Sequence, residues 1–247
     1  MIYILGPCAM DSVELYLEVG KKLYTLMKNR KDEWYYKASF SKENRTSIHG
    51  KKGVGLEKAI EAFKQIKEEC PGIKLTTDFH DPKQAEELVD LIDVAQIPAF
   101  LGRQTELVVE CAKCYEIVNI KKMQHLGPDN VIKSIDKIKN TNSNTQAWIT
   151  ERGTSLGYDH LIVDFTIVDE LKRHYDKVIF DVTHSTQRSR KIHIVQGDPA
   201  LAKRYFRIAE AMNYDGVFAE THPRPSESAS DGDCMIPLQQ MGGLLNE

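Results

Sequence analysis

The sequence predicts an α/β fold, a (β/α)8 barrel of the TIM type, on three observations. Short apolar runs alternate along the whole chain with stretches of helical period. Eight such pairs follow one another, which points to a parallel sheet closed on itself. The runs also end in polar or ionisable residues, as barrel strands do at a functional rim. A doubly wound open sheet is the alternative arrangement of the same units. At 247 residues the chain has the length of one such barrel. No repeat, linker or low-complexity tract divides it, so residues 1–247 read as a single domain.

Ile2–Leu5 is the first apolar strand, closed by Gly6, Pro7 and Cys8. Ser12–Met27 follows with apolar residues at helical spacing, and Asp11 or Ser12 is its N-cap. Trp34–Lys37 is the second strand. The polar stretch Ser41–Gly55 is longer than a plain connection needs, and such loops are often functional. Leu56–Glu69 is helical by pattern, and Ile73–Thr77 is the third strand. Pro82–Leu88 is a helix with proline where its missing N–H costs little. Val94–Ile97 is the fourth strand, Thr105–Cys114 the next helix and Ile117–Ile120 the fifth strand. Pro128–Lys137 reads as a helix, Asn140–Asn144 as a polar turn and Gln146–Thr150 as the sixth strand. Ile162–Leu171 reads as a helix despite its β-branched residues. The seventh strand lies in Lys177–Ser185, where Val178, Ile179, Phe180 and Val182 suit a strand buried on both faces. Pro199–Met212 is a helix, Gly216–Ala219 the eighth strand and Pro237–Leu245 the last helix.

Composition excludes several function classes. The 36 acidic residues slightly outnumber the 33 basic ones, for a net charge of −3, which gives no basic face for nucleic acid. No apolar run approaches membrane-spanning length, and no basic segment precedes the short apolar run at the N-terminus. A cytoplasmic protein with neither membrane nor nucleic acid as partner is expected. Five cysteines, an odd number without a secretion signal, argue against a disulfide framework. Cys111 and Cys114 form a lone C-x-x-C within a helical stretch and read as structural.

In a barrel the strand ends converge on one face. They bring Cys8, Lys37, Ser39, Asp78, His80, Gln96, Arg103, Asn119, Lys121, Arg152, Asp181, His184, Glu220 and His222 together. One polar strand end is what any loop shows; eight in succession point to a site. Lys37, Lys42, Arg45, Arg103, Lys121, Lys122 and Arg152 form a cationic subset suited to phosphate or carboxylate. Within it, Lys122 reads equally well as a solvated surface charge. Cys8, His184, Glu220 and Asp231 combine a thiol, an imidazole and two carboxylates, donors that suit a divalent transition metal such as Zn2+ or Fe2+.

The chain also resembles a known family. The segments GPCAMDS (Gly6–Ser12), YKASFSKENRTSI (Tyr36–Ile48), TDFHDP (Thr77–Pro82) and QIPAFLGRQTEL (Gln96–Leu107) carry the likeness. So do NIKKMQ (Asn119–Gln124), ERGTSLGY (Glu151–Tyr158), FDVTHSTQ (Phe180–Gln187) and ETHPRPSESASDG (Glu220–Gly232). In order and over nearly the whole chain, they resemble the KDO-8-phosphate synthases, also called 2-dehydro-3-deoxyphosphooctonate aldolases. The resemblance implies a (β/α)8 barrel that condenses phosphoenolpyruvate with D-arabinose 5-phosphate and water, in lipopolysaccharide sugar biosynthesis. It implies that Lys37, Ser39, Lys42, Gln96, Ala99, Lys121 and Arg152 hold phosphoenolpyruvate. Asn44, Arg45, Thr46, Asp78 and Gln187 would hold the aldose phosphate, with Arg45 and Thr46 reaching a neighbouring subunit of a homotetramer. Catalytic roles fall to His184, Asp231, Lys121 and Arg152. The family has a metal-dependent branch with Cys in the GPC segment and a metal-independent one with Asn. Cys8 places the sequence with the former, and Cys8, His184, Glu220 and Asp231 match its ligands for Zn2+, Fe2+ or Mn2+.

Two departures stand out. The family's glycine-rich loop ending in Ser-Gly-Gly is replaced after Gln187 by RSRKIHIVQGDP. The chain also stops soon after Leu245, short of the family's usual C-terminal extent. The first departure keeps two further readings open: a synthase that uses another aldose phosphate, and a non-catalytic barrel that only binds phosphate ligands.

Overall fold

The computed structural model describes residues 1–44, 48–155, 160–191 and 194–246. Eight parallel strands close into a barrel: β1 (Ile2–Gly6), β2 (Glu33–Lys37), β3 (Leu75–Asp78), β4 (Val94–Ile97), β5 (Ile117–Lys121), β6 (Gln146–Glu151), β9 (Lys177–Asp181) and β12 (Gly216–His222). Closure comes from β1, which pairs in parallel with β2 on one side and with β12 on the other, Ile4 standing opposite Tyr35 and Phe218. Two hairpins lie between barrel strands. β7 (Thr154–Ser155) pairs with β8 (Leu161–Ile162), and β10 (Arg188–Lys191) pairs with β11 (Ile194–Gln196). A bridge between His160 and Arg188 joins them. A short β13 (Ile236–Pro237) extends the C-terminal end of β12.

The helices around the barrel are α1 (Val13–Met27), α2 (Leu56–Glu69), α3 (Pro82–Glu87), α4 (Thr105–Cys114), α5 (Pro128–Val131), α6 (Lys133–Thr141), α7 (Ile167–Lys172), α8 (Pro199–Ala211) and α9 (Leu238–Asn246). Their starts follow local chemistry. Ser12 caps α1 by accepting from the Leu15 N–H at 3.1 Å. Asp81 and Gln84 form a reciprocal capping box on α3, with Pro82 in its first turn.

Period-two alternation divides each strand between two cores. Tyr3, Leu5, Tyr36, Val118, Ile120, Ala147, Ile149, Val178, Phe180, Val217 and Ala219 join the layer beneath the helices. Ile2, Ile4, Tyr35, Val94, Trp148, Ile179 and Phe218 form a separate buried cluster that fills the barrel. Tyr35 and Trp148 meet edge to face there, ring centroids 5.6 Å apart. Their polar ends are satisfied along their own strands, Tyr35 Oη donating to Glu33 at 2.6 Å and Trp148 Nε1 to Gln146 at 3.1 Å. The same interior parity, carried to the other end of the barrel, presents Lys37, Asp78, Gln96, Lys121, Asp181 and Glu220 at the mouth.

Three sequence expectations need correction. The helix expected over Pro128–Lys137 is two helices, because the Ile135 N–H turns back to the Ile132 carbonyl at 2.9 Å and tightens the chain there. The second of them, α6, also consumes the start of the expected turn at Asn140–Asn144. The helix expected from Ile162 begins only at Ile167. Ile162 instead pairs with Thr154, and Asp164 accepts from the Thr166 N–H at 2.9 Å in the turn between. In the seventh-strand stretch, regular pairing stops at Asp181, and His184–Thr186 makes a 3₁₀ turn.

Gly6 marks where β1 must approach β2 closely. A Cβ there would lie 1.9 Å from the Lys37 carbonyl oxygen, so no side chain fits without moving backbone. Gly6→Ala is therefore expected to lower unfolding free energy by about 1–3 kcal/mol, the usual cost of forcing atoms into packed space. Chemical denaturation of the two proteins measures it.

Candidate active site

A cavity of about 360 Å³ opens at the C-terminal ends of the strands. Of the residues singled out in the sequence, Lys37, Lys42, Asn44, Asp78, Gln96, Ala99, Lys121, Arg152, His184, Gln187 and Asp231 line it. Cys8, Ser39 and Glu220 stand just behind, fully buried. Lys37 gathers all three, its Nζ lying 3.2 Å from the Cys8 carbonyl, 3.0 Å from Ser39 Oγ and 3.4 Å from Glu220 Oε1. Arg45 and Thr46 lie outside the described residues. Arg103 does not belong to the site. It is exposed, and its carbonyl accepts from Lys137 Nζ at 2.8 Å, because the turn Ala99–Leu101 carries it past the rim. Lys122 is not a surface charge either. It points away from the cavity by strand parity and is fully buried 3.4 Å from the equally buried Glu151.

The cations are held by acids from neighbouring strands. Asp78 lies 3.5 Å from Lys37 and 3.8 Å from Lys42, and accepts from Ser39 Oγ and, at 2.6 Å, from Gln96 Nε2. Burial alone would raise its pKa; Lys37 and Lys42 overcome that and hold it well below the usual carboxylate range. Burial likewise opposes the charge on Lys42, yet Cys8, Glu220, Asp78 and Asp231 hold its pKa above the usual lysine range. A relay of side chains fixes the floor: Asn119 donates to Gln96 at 3.2 Å and accepts from Thr150 at 2.8 Å. Gln96 thereby reaches Asp78 with its amide orientation set by its partners.

Lys121 is different. Its Nζ bonds Asp181 and sits 3.2 Å from the centroid of the Phe218 ring. Burial, reinforced by Lys37 and Arg152, outweighs Asp181 and lowers its pKa to about 8. Asp181 stood among the strand-end residues of the sequence reading but was given no binding, catalytic or metal role there. It is fully buried, accepts the backbone N–H groups of Thr183 and His184 at 3.1 and 2.8 Å, and meets His184 Nδ1 at 2.8 Å. Phe218 was missed altogether; it lies two residues from Glu220, and that spacing is the signal that would have found it.

Cys8, His184, Glu220 and Asp231 come together as expected, with one donor atom from each all within 4.8 Å of one another. Cys8 Sγ is 3.3 Å from Asp231 Oδ2, and His184 Nε2 is 3.6 Å from Glu220 Oε2 and 3.9 Å from Asp231 Oδ2. Three features fit a divalent cation. Glu220 Oε2 is buried without a hydrogen-bond partner among the described residues. Asp181 fixes His184 through Nδ1 and leaves Nε2 facing the other donors, as an outer carboxylate does for a metal-binding histidine. Burial, with Glu220 adding to it, pushes the Cys8 thiol well above its ordinary pKa, so a thiolate there calls for a cation beside it. Asp231 is presented from a left-handed turn at φ 53°, anchored where the Cys234 N–H returns to its carbonyl at 2.8 Å. Cys111 and Cys114 remain in α4, remote from this cluster, as structural helix residues.

A closed parallel barrel with a cation-lined mouth and a soft-to-borderline donor cluster defines a barrel enzyme built for anionic substrates. The chain belongs to the DAHP synthetase I family, whose model it matches over residues 1–246. It is 40% identical to a 2-dehydro-3-deoxyphosphooctonate aldolase of Wolinella succinogenes, a match covering 100% of this chain and 97% of the relative. It is equally 40% identical to one of Helicobacter hepaticus, covering 100% and 95%, and 39% identical to one of Helicobacter pylori, covering 100% and 93%. Among the described residues, no helix is long and apolar enough to cross a membrane.

Two measurements follow from the charges. Lys121 loses its proton near pH 8, so binding of sulfate, whose charge is constant there, is expected to weaken as pH rises through about 8. Calorimetry should show this inflection in the native protein and not in Lys121→Met. Removing one member of the buried Lys122–Glu151 pair strands the other: Lys122→Met is expected to cost about 3–5 kcal/mol, and adding Glu151→Gln to recover most of it. Denaturation of the single and double variants tests the pair.

Proposed function

We propose that the protein condenses phosphoenolpyruvate with D-arabinose 5-phosphate and water, giving 3-deoxy-D-manno-octulosonate 8-phosphate and inorganic phosphate. The carrying observation is the full-length likeness to the aldolases, joined to a mouth in which Lys37, Lys42, Lys121 and Arg152 all line one cavity. In this reading Lys37, Ser39, Lys42, Gln96, Ala99, Lys121 and Arg152 hold phosphoenolpyruvate. Asn44, Arg45, Thr46 and Asp78 take the aldose phosphate from the other side, with Gln187 beside them at the rim. Arg45 and Thr46 belong to a neighbouring subunit's site in a homotetramer, and the reaction is cytoplasmic.

The bond changes are simple to state. C3 of phosphoenolpyruvate bonds to the aldehyde carbon, water bonds to C2, and the C2–O bond to phosphate breaks. The water oxygen becomes the C2 carbonyl oxygen and gives up both protons, one to the aldehyde oxygen and one that leaves with the phosphate. Lys121 and Arg152 neutralise the charge that grows on the departing phosphate. His184 and Asp231 face the cavity and are placed to pass protons between the water and the sugar oxygen. Asp181 keeps Lys121 and His184 in fixed positions. Cys8, His184, Glu220 and Asp231 would hold Zn2+, Fe2+ or Mn2+, as expected of a member of the metal-dependent branch. Such an ion supplies Lewis acidity to the bound substrates.

One observation favours a neighbouring reading. Where the family carries its glycine-rich loop, this chain forms the β10–β11 hairpin, bridged to His160. A hairpin at this rim meets the aldose end of the site, so a different aldose phosphate is the second candidate substrate.

Purified protein given phosphoenolpyruvate and D-arabinose 5-phosphate is expected to release phosphate, and to lose at least about 90% of that activity on chelation, with recovery on adding Zn2+, Fe2+ or Mn2+. Full activity after complete metal removal would sink the metal assignment. A panel of aldose phosphates, scored by phosphate release and product mass, decides between the two substrates. Phosphate release with none of them would favour a binding protein.

A further inference from the structure

We infer that Gln187 is a positioning residue that ties Arg152 to Asp231, and not a contact of the aldose phosphate; the inference rests on the function proposed above. Its amide is occupied at both ends. Oε1 accepts from Arg152 Nη2 at 2.7 Å, and Nε2 donates to Asp231 Oδ1 at 2.9 Å. The identity of these partners fixes which end is oxygen: a guanidinium only donates, and an ionised carboxylate only accepts.

Arg152 depends on this contact. Its Nε is buried with no hydrogen-bond partner among the described residues, so the bond from Nη2 to Gln187 is what orients the guanidinium. Glutamine is suited to this place by charge and length. Glutamate would set a second negative charge against Asp231, lysine a second positive charge against Arg152, and asparagine is one methylene too short to span both.

The backbone of Gln187 is pinned too. Its N–H donates to the His184 carbonyl at 3.0 Å, and its carbonyl accepts from the Leu161 N–H at 3.3 Å. It therefore closes the turn that carries His184 while joining two residues from other strands. Asp181 makes the corresponding tie on the opposite side, between Lys121 and His184. Each phosphoenolpyruvate cation at the far end of the pocket is thus linked through one residue to one member of the donor cluster. Gln187 is also the last residue before the hairpin that sets this chain apart, so the tie is retained where the loop has changed.

The test uses the full chain and Gln187→Met, a side chain of similar length without the amide. Zinc affinity is measured by competition with a chromophoric chelator, phosphoenolpyruvate affinity by calorimetry, and KM separately for each substrate. The variant is expected to lose about tenfold or more in zinc affinity and about tenfold or more in phosphoenolpyruvate affinity. KM for the aldose phosphate should change by less than about threefold, near the scatter expected of a residue that makes no contact. An unchanged melting temperature shows that the fold is intact. Gln187→Asn is expected to recover at most one of the two affinities. The inference is overturned by native zinc and phosphoenolpyruvate affinities in Gln187→Met, by a raised KM for the aldose phosphate alone, or by recovery of both affinities in Gln187→Asn. Failure of the proposed function itself appears earlier and separately, as absence of phosphoenolpyruvate binding and turnover in the native protein.

Discussion

A closed barrel has one interior, and each strand must divide its side chains between that interior and the layer beneath the helices. Everything else in this structure depends on that division. At one end the interior positions are Ile2, Tyr35, Val94 and Trp148, packed tightly enough to plug the barrel. At the other end the same parity delivers Lys37, Asp78, Gln96, Lys121 and Asp181 to the cavity lining, with Glu220 just behind it. The site is not assembled from long loops. Its charged groups are mostly the last interior residues of strands whose earlier residues are core, and strand pairing fixes their spacing as firmly as it fixes the core. Cys8, Arg152 and His184 follow within three residues of a strand end, and Lys42, Gln187 and Asp231 come from further along the connections. Asp231 is held by the extra pairing of β13 on β12, Thr221 Oγ1 donating to the Ile236 carbonyl at 2.7 Å.

Burying that many charges is tolerable because they are arranged in opposed groups. Lys37 stands between Asp78 and Glu220, and Lys121 against Asp181. Where a charge falls on the outward parity instead, as at Lys122 and Glu151, it finds an opposite charge across the β5–β6 pair. The two outward residues directly adjoin the inward ones, Lys121 and Arg152, so the pairing beneath the rim also stiffens the two strand ends that carry the pocket's cations. Buried ion pairs contribute little net stability in general. Their effect here is to make one arrangement of the strand ends far better than any other.

This explains which parts of the molecule were legible in the sequence. Val94–Ile97, Leu56–Glu69 and Thr105–Cys114 have the expected bounds because their apolar patterns are unambiguous. The candidate site was legible wherever polarity interrupted an apolar run, as at Lys37, His184 and Glu220. Parity was not legible, because strands buried on both faces show no alternation between apolar and polar residues. Hence Lys122 read as a surface charge, Arg103 as a site cation, and Phe218 as unremarkable core. The two small hairpins were illegible for a different reason: Thr154–Ser155 and Leu161–Ile162 are only two residues each, and their pairing is decided by the barrel strands that flank them. The break between α5 and α6 depends on one tightened turn at Ile132, which no residue type announces.

The distribution of charge around the mouth carries a mechanistic consequence. Three of the anionic groups belong to β9 and β12, Asp181 and Glu220 on the strands themselves and Asp231 after β12, and Cys8 follows the adjacent β1. The cations Lys121 and Arg152 come from β5 and β6, and Lys37 and Lys42 from β2 and its loop. The cations from β5 and β6 therefore adjoin the donor cluster on one flank, and Lys37 and Lys42 adjoin it on the other, Lys37 standing 3.4 Å from Glu220. A substrate rich in negative charge is drawn to the cations and kept off the carboxylates unless a cation bound in the cluster reverses the sign there. Lys121 sits where these regions touch, bonded to an acid, resting on the Phe218 ring and holding a proton that it releases near pH 8. Its charge, more than that of the firmly protonated Lys42, decides how well the pocket holds an anion across neutral to mildly alkaline pH.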